Sequence, residues 1–404
     1  MVPFCVGYYV SYLLRTVNAV IAPELVRDLD LGAADLGLLT STYFLAFAVG
    51  QLPVGAALDR LGARRVVGAL LAVATAGVLI FSTGRTFTTL AIGRGLVGLG
   101  VSASLMGAFK AFGAVFPPAR QIALTGLVMA AGAIGALTAS VPLARALPMM
   151  GWRHALLAVA AASAAAALLI AGLAHDGDGD ARATGAVAPT AAPADTAALA
   201  TVLRARAFWQ FAPQATLFTG GFMAVQSLWA VPWFMTVDGL TRTQAATQLL
   251  VLNAGMLAGQ LSIAFGASAL ARWSGSRERL MTASLAAALL VEGVLITGVG
   301  RGAPLWFAFG YLAAAGAQVY GVTASYFSPS LSGRVSTAIN LLAFVGAFLI
   351  QWGIGIAVQA LGGGTTSAAG ALKATFGALW FGQLLAVAWS AGLPFKKRPP
   401  RPAA

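Results

Sequence analysis

Long apolar runs recur along nearly the whole sequence. A run of about 18 or more apolar residues can cross the hydrocarbon core of a bilayer as an α-helix. Twelve such runs lie near residues 4–26, 36–58, 66–83, 87–112, 121–143, 154–174, 208–235, 244–270, 280–299, 304–327, 335–360 and 374–394. The sequence therefore predicts an all-α membrane protein with about twelve transmembrane helices.

The composition agrees with this prediction. Only 9% of the 404 residues are charged, whereas soluble domains carry about 25%. The chain opens almost directly into its first apolar run, without the pattern of a cleavable signal peptide, so we expect no removable leader. Abundant alanine and compact loops favour a bacterial inner membrane.

Basic residues in short loops predict the orientation, because such loops stay cytoplasmic. With a cytoplasmic N-terminus, fifteen basic residues fall in inner loops and the tail. Seven fall in outer loops, namely Arg27, Arg85, Arg145, Arg153, Arg242, Arg301 and Lys373. We therefore expect both termini in the cytoplasm.

The net charge of +13 follows mostly from this inside bias and from the membrane-flanking tail, so we expect no nucleic-acid partner. No phosphate-binding loop, zinc-ligand cluster or nucleophile elbow occurs. We therefore expect no enzymatic activity, metal or cofactor. The single cysteine, Cys5, cannot form an internal disulfide.

One long polar segment, rich in glycine, proline, alanine and aspartate, interrupts the apolar runs and reads as a flexible cytoplasmic linker. It divides the chain into a six-helix bundle over 1–174, the linker over 175–207, a second six-helix bundle over 208–394 and a basic tail over 395–404.

The two halves also repeat each other. Gly50-Gln51-Leu52 lies 209 residues before Gly259-Gln260-Leu261. Internal repeats are common in transporters, whose substrate site lies near the bilayer midplane between the halves.

The stretch "GAALDRLGARRV", residues 55–66, resembles the cytoplasmic loop signature between helices 2 and 3 of the major facilitator superfamily, and "RGLVGLG", residues 94–100, is similar to its helix-4 motif. The resemblance implies two pseudo-symmetric six-helix bundles. It also implies a cytoplasmic gate, in which Asp59 pairs with arginines or caps a neighbouring helix. The gating positions are Asp59, Arg60, Gly62, Arg64 and Arg65.

A fixed charge, Arg15, lies near the middle of the first apolar run. A central arginine costs about 2.5–3.5 kcal/mol on insertion scales. Residues three, four or seven positions away share its helix face, and here they include Tyr8, Ser11, Tyr12 and Asn18. This polar stripe contains no acid. We therefore expect Arg15 to face a wet cavity and bind an anionic substrate group, with structural pairing as the alternative.

The run "SYLLRTVNAVIAP", residues 11–23, is similar to helix 1 of two superfamily branches that carry organic anions, the anion:cation symporters and the organophosphate:phosphate antiporters. Leu14 and Val101 stand where the symporters often have acids, and Gln226 lies in the helix where the antiporters have a second arginine. The resemblance implies transport of a small organic anion, such as a carboxylate.

Other polar and aromatic residues are candidates for substrate contact. Arg94 has three open roles: a second anion contact, a relay element or a structural donor to helix-1 carbonyls. Lys110 lies too far along the same helix to share a site with Arg94, and it snorkels or serves a gate. The full substrate-binding set is Arg15, Tyr8, Tyr12, Asn18, Tyr43, Arg94, Gln226, Trp229, Tyr311, Gln318, Asn340 and Gln351.

Glu292 is the one acid well inside a span, in a helix that the resemblance places outside the cavity. It is a candidate for proton coupling, for helix packing or for a lipid-exposed role. A cavity rich in cation and poor in acid favours anion exchange or facilitated uptake, with a counter-anion or a proton as the coupled species. We expect a monomer in the bilayer that works by alternating access. The alternatives are a drug or metabolite efflux antiporter and a membrane sensor that does not transport.

Overall fold

The computed structural model describes residues 1–116, 118–174, 196–274, 276–300, 302–328, 331–362 and 366–392. These residues form helices joined by short connections. The first half consists of α1 (Val2–Leu29), α2 (Ala33–Leu61), α3 (Ala63–Thr83), α4 (Phe87–Val101), α5 (Ser104–Val115), α6 (Pro118–Thr138) and α7 (Val141–Leu173).

The second half begins with a helix made of short segments. These are α8 (Thr196–Arg204), α9 (Arg206–Gln214), a π-helical turn (Ala215–Thr219), α10 (Gly220–Ala224), a second π-helical turn (Val225–Trp229) and α11 (Ala230–Thr236). Longer helices follow, namely α12 (Arg242–Ser274), α13 (Arg277–Thr297), α14 (Ala303–Ala313), a 3-10 turn (Ala314–Gln318), α15 (Val319–Ala324), α16 (Ser332–Gly362) and α17 (Ala368–Gly392).

The prediction of an all-α membrane protein is confirmed. Within the described ranges, ten helices are long and apolar enough to cross a membrane, counting α4 with α5 and α14 with α15 as single spans. The two other predicted runs correspond to α6 and to the segmented helix from α9 to α11, both of which are present. Each predicted run therefore has a helical counterpart.

Several boundaries differ from the prediction. The fifth and sixth runs were separated at 143–154, whereas α7 continues from Val141 to a kink at Gly151. Gly151 has φ 74°, a conformation that glycine adopts without the steric penalty of a Cβ atom. The fourth run is interrupted at Ser102 and Ala103, between α4 and α5.

The linker prediction covered residues 175–207. Residues 175–195 and the predicted tail lie outside the described residues. Thr196–Arg204, however, is helix α8, which contacts α16 and fully buries Val202. A linker assigned from average composition missed this short amphipathic segment.

Glycines allow helix pairs to pack closely in the same way in both halves. A Cβ atom at Gly98 of α4 would lie 2.1 Å from the carbonyl oxygen of Tyr43 on α2. A Cβ atom at Gly310 of α14 would lie 2.2 Å from that of Leu252 on α12. Leu252 follows Tyr43 by 209 residues, the interval of the sequence repeat. Because lipid supplies no hydrophobic driving force between helices, such close contacts are what hold them together.

The two halves meet at one end of the bundle. Arg242, at the start of α12, forms an ion pair with Glu24 near the end of α1. The side-chain oxygen of Gln359 on α16 accepts a hydrogen bond from the backbone of Ala34 on α2 at 3.0 Å. We call the region around these four residues the closed end.

Candidate functional site

A cavity of about 590 Å³ lies between the two halves. Its lining comes from α1, α2, α4, α5 and α6 on one side and from the segmented helix, α12, α14 and α16 on the other. It extends along α5 to Met106 and Phe109, away from the closed end. The cavity therefore extends from Arg15 toward the end of the bundle opposite the closed end.

Arg15 is the cationic residue of this cavity. Its side chain is 5% exposed, and its Nε atom is buried without a hydrogen-bond partner. No carboxylate among the described residues lies within 4.0 Å of the guanidinium. Tyr8, Ser11 and Tyr12 share the cavity with Arg15, as the helical spacing on α1 predicts. The arrangement leaves a fixed positive charge facing an enclosed space.

Aromatic rings from both halves surround this guanidinium. Its Cζ atom lies 4.4 Å from the ring centre of Tyr12, 6.0 Å from that of Phe47 and 5.4 Å from that of Phe344. The rings of Phe47 on α2 and Phe344 on α16 stack with their centres 4.0 Å apart. Cation–π contacts offset part of the cost of burying the charge. They also join Arg15 to the opposite half of the chain.

Asn18 and Gln351 lie beyond this stack, toward the closed end, and do not line the cavity. Asn18 donates to the Thr40 hydroxyl at 3.3 Å. Gln351 is fully buried, and its backbone carbonyl oxygen accepts a hydrogen bond from the Trp229 indole at 3.0 Å. Asn18, Gln351 and Trp229, all predicted substrate contacts, are therefore buried and lie off this cavity.

Arg94 also lies off the cavity. It donates from Nη1 to the carbonyl oxygen of Leu14 at 2.6 Å and from Nη2 to that of Arg15 at 3.1 Å. Its Cζ atom lies 4.8 Å from the ring centre of Tyr43, which does not line the cavity either. The sequence left three roles open for Arg94. This geometry matches one of them, a structural donor to helix-1 carbonyls.

In the second half, three predicted contacts reach the cavity, namely Gln226, Gln318 and Asn340. Tyr311 does not. It is 37% exposed and stacks against Phe307. The heptad spacing of Tyr311 and Gln318 assumed a regular α-helix, but the 3-10 turn over Ala314–Gln318 lies between them and changes the helical phase.

The sequence reasoning missed several lining residues. Gln51 and Gln260, which occupy equivalent places in the repeat, both line the cavity, and the repeat was the signal that could have identified them. Tyr320 also lines it and donates to Asn340 at 3.1 Å.

The segmented helix presents its lining residues from irregular turns. Thr219 lies at the end of the first π-helical turn and Gln226 within the second. Gln226 donates to Asn253 of α12 at 2.6 Å. Single π turns inside α-helices occur frequently at functional sites, and nothing in the amino-acid pattern indicated them here.

The gating residues lie together around the α2–α3 turn. The predicted partners of Asp59 were arginines or a helix N-terminus, whereas the salt bridge that it forms among the described residues is with Lys110 of α5 at 2.5 Å. The Lys110 ammonium reaches Asp59 because α5 runs beside this turn. Gly62 lies in the turn with φ 83°, and Arg64 donates from Nε to the Ala171 carbonyl at 2.7 Å. The side chains of Arg60 and Arg65 are exposed.

Glu292 of α13 is buried and lies outside the cavity lining, as predicted. One of its carboxylate oxygens has no hydrogen-bond partner among the described residues. On the same helix, Leu289 accepts a hydrogen bond from the indole of Trp380 on α17 at 2.7 Å. Glu292 therefore lies in a helix-packing environment.

The sequence model of the protein family named Major Facilitator Superfamily matches residues 4–351 of this chain. The chain is 30% identical over 155 residues to the hexuronate transporter of Escherichia coli strain K12. It is 26% identical over 168 residues to the probable sulfoacetate transporter SauU of Cupriavidus necator. These alignments cover 37% and 41% of this chain, and 34% and 39% of the relatives. The matched regions thus span little more than a third of each relative.

Solved structures resemble the chain over nearly its whole length. The nucleoside transporter NupG aligns with a TM-score of 0.73 and 13% identity, covering 98% of this chain and 99% of that one. The D-xylose-proton symporter aligns with a TM-score of 0.75 and 14% identity, covering 97% of both chains. At such identities the likeness shows a shared fold alone.

Proposed function

We propose that this chain, which belongs to the Major Facilitator Superfamily, is a secondary transporter that carries a small organic anion across the membrane by alternating access. The observation that carries the proposal is Arg15, a buried guanidinium facing the cavity with no carboxylate partner among the described residues. Because an unpaired buried charge is unfavourable, the site favours a ligand that brings a negative charge.

A carboxylate suits this residue well. The planar guanidinium offers parallel N–H donors that match the two oxygens of a carboxylate. The aromatic rings of Tyr12, Phe47 and Phe344 exclude water from one side of it, and a low local dielectric strengthens the attraction. Since Phe344 belongs to the second half, an anion at Arg15 contacts both halves at once. Binding is thereby coupled to their relative movement.

Alternating access requires the closed end to open in a second state. The Glu24–Arg242 ion pair and the Gln359–Ala34 hydrogen bond join the two halves there and would break. At the other end, the Asp59 loop would close the path. We place that end, with both termini, in the cytoplasm, from the distribution of basic residues.

The names of two relatives support the choice of substrate class, since hexuronate and sulfoacetate are both organic anions. We propose a bacterial inner-membrane location because the relatives are bacterial transporters. We further propose that the protein acts as a monomer, with a counter-anion or a proton as the coupled species.

Thermal unfolding of the purified protein tests the proposal. A ligand that binds only the folded state raises the unfolding temperature by mass action. We would screen monocarboxylates, dicarboxylates, sugar acids and phosphate esters against the wild type, Arg15→Ala and Arg145→Ala, the last an exposed arginine outside the cavity lining. We expect an anion to stabilise the wild type and Arg145→Ala but not Arg15→Ala. Stabilisation by neutral or cationic compounds alone, unchanged in Arg15→Ala, would contradict the anion site.

A further inference from the structure

We infer that the anion bound by Arg15 carries a single negative charge and an apolar or aromatic body, rather than a polyhydroxylated or doubly charged one. This inference rests on the proposed function and names the class of substrate that the rest of the cavity accepts. Three features of the cavity support it: its walls, its polar groups and its charge.

The walls are apolar and adaptable. Of the chain's nine methionines, four line the cavity, namely Met106, Met129, Met223 and Met256. Phe109 and Phe222 also line it. Methionine has an unbranched, polarizable side chain that adjusts to different apolar shapes and contacts aromatic rings favourably. Such a surface gains little from hydroxyl groups and strips water from them.

Several polar groups of the wall are already bonded within the protein. Gln51 donates to the Ser102 carbonyl at 2.8 Å, and Gln226 donates to Asn253 at 2.6 Å. Tyr320 donates to Asn340 at 3.1 Å. A ligand hydroxyl placed at these groups would have to replace such a bond, which is unfavourable.

Two further amides, Gln260 and Gln318, and the hydroxyls of Ser11 and Ser336 line the cavity with no hydrogen bond to the described residues, and the Thr219 hydroxyl is buried without a partner. They can satisfy a few polar atoms on a ligand. They belong to five different elements of a largely apolar wall, so a mainly apolar body with a few polar substituents fits better.

The cavity lining also holds one cation. Arg15 is the only basic residue among the described residues that line it. Arg94 is directed at helix-1 carbonyls, and Lys110 is paired with Asp59. A second negative charge on the ligand would be buried without a partner, which is strongly unfavourable. The geometry therefore favours a monoanion.

Matched ligands test this inference. Each ligand is titrated into the purified protein, and the rise in the unfolding temperature gives its affinity. Acetate, butyrate and hexanoate differ only in methylene groups, and each buried methylene improves affinity about threefold to fourfold. We expect affinity to rise along this series and 3-phenylpropionate to bind at least tenfold tighter than glucuronate. The neutral 3-phenylpropionamide should not stabilise the protein, which controls for partition of the apolar body into detergent.

Two pairs of variants make the outcomes distinct. Met223→Gln keeps the length of a wall residue but makes it polar, and we expect it to weaken 3-phenylpropionate at least threefold. Met149→Gln changes a methionine that is 85% exposed and outside the cavity lining, and it should have no effect. Arg15→Gln should abolish binding of every anion, whereas Arg145→Gln should not.

Tighter binding of glucuronate than of 3-phenylpropionate, with loss of both in Arg15→Gln, would overturn this inference while leaving the proposed function intact. Unchanged affinity for 3-phenylpropionate in Met223→Gln would also overturn it. If no anion depends on Arg15, the proposed function itself fails, and this inference fails with it.

Discussion

Arg94 donates a hydrogen bond from Nη2 to the carbonyl oxygen of Arg15 at 3.1 Å, so two buried arginines lie side by side in the first half of the chain. Their guanidinium groups have different surroundings. That of Arg15 faces the cavity without a carboxylate partner among the described residues, whereas that of Arg94 also bonds the Leu14 carbonyl. Replacing each arginine by a neutral residue should therefore have opposite effects on the stability of the protein.

Arg94→Gln should destabilise the protein without ligand. Hydrogen bonds from charged groups contribute about 1.5–3 kcal/mol each, and this change removes two. We expect the unfolding temperature to fall by roughly 5 °C or more. Arg15→Gln should leave it unchanged or raise it, because the substitution removes an unpaired buried charge. Differential scanning fluorimetry of both variants without ligand checks this pair. Equal destabilisation by both would contradict the assigned roles.

Gly98→Ala should destabilise the contact between α2 and α4. The new Cβ atom would lie 2.1 Å from the Tyr43 carbonyl oxygen, and overpacking of this kind costs about 1–3 kcal/mol. Gly377→Ala is the matched control, because a Cβ atom there meets nothing within 4 Å. The control should be neutral or stabilising by about 0.5–1 kcal/mol. Thermal unfolding compares the two, and a neutral Gly98→Ala would show that the helices are not packed as closely as described.

Glu24→Gln should weaken the contacts that join the two halves at the closed end. The substitution removes the charge that pairs with Arg242 across the two halves, so the population with this end open should increase. Spin labels at Met149 and Val299, which are 85% and 88% exposed and belong to different halves, would report the change. The native Cys5 is first replaced by alanine, since it is the only cysteine.

Pulsed electron resonance should then give a larger share of long distances between the labels in Glu24→Gln than in the parent. Glu278→Gln is the matched control, because Glu278 accepts from Tyr326 within the second half and not across the closed end. Identical distance distributions in Glu24→Gln and the parent would indicate that the ion pair does not hold the halves together.

Phe344→Ala should weaken anion binding. The ring lies 5.4 Å from the Arg15 guanidinium and stacks on Phe47, and cation–π contacts contribute about 0.5–2 kcal/mol. We therefore expect affinity for the anion to fall about twofold to thirtyfold. Phe307→Ala removes a ring that stacks on Tyr311 outside the cavity lining and should leave affinity unchanged. Isothermal titration checks both. An equal loss of affinity in the two variants would show that Phe344 has no specific role in anion binding.

The sequence predicted the regular parts of this molecule well. Apolar run length identified the spans, and the family resemblance of the loop at residues 55–66 is confirmed by the family model. On α1, a continuous helix, the spacing correctly placed Tyr8, Ser11 and Tyr12 beside Arg15 on the cavity, whereas Asn18 on the same face lies off it. Periodicity predicts which side chains share a face, but not how far the cavity extends along that face.

The same reasoning failed where the pitch changes. Tyr311 was placed on the cavity because a 3-10 turn was not foreseen. The Asp59–Lys110 pair joins residues 51 positions apart, and no helical spacing predicts such a contact. Gln351 accepts hydrogen bonds from Ser227 and Trp229 of the segmented helix, and no spacing along α16 predicts those partners.

Anion exchange in reconstituted vesicles shows whether Arg15 binds the transported anion. Proteoliposomes loaded with unlabelled anion would be diluted into the same anion carrying a radiolabel, and exchange would be followed in the wild type, Arg15→Lys, Arg15→Gln and Arg145→Gln. We expect exchange in the wild type and Arg145→Gln, weaker exchange in Arg15→Lys because bidentate geometry is lost, and none in Arg15→Gln. Exchange at the wild-type rate in Arg15→Gln would contradict the claim that Arg15 binds the transported anion.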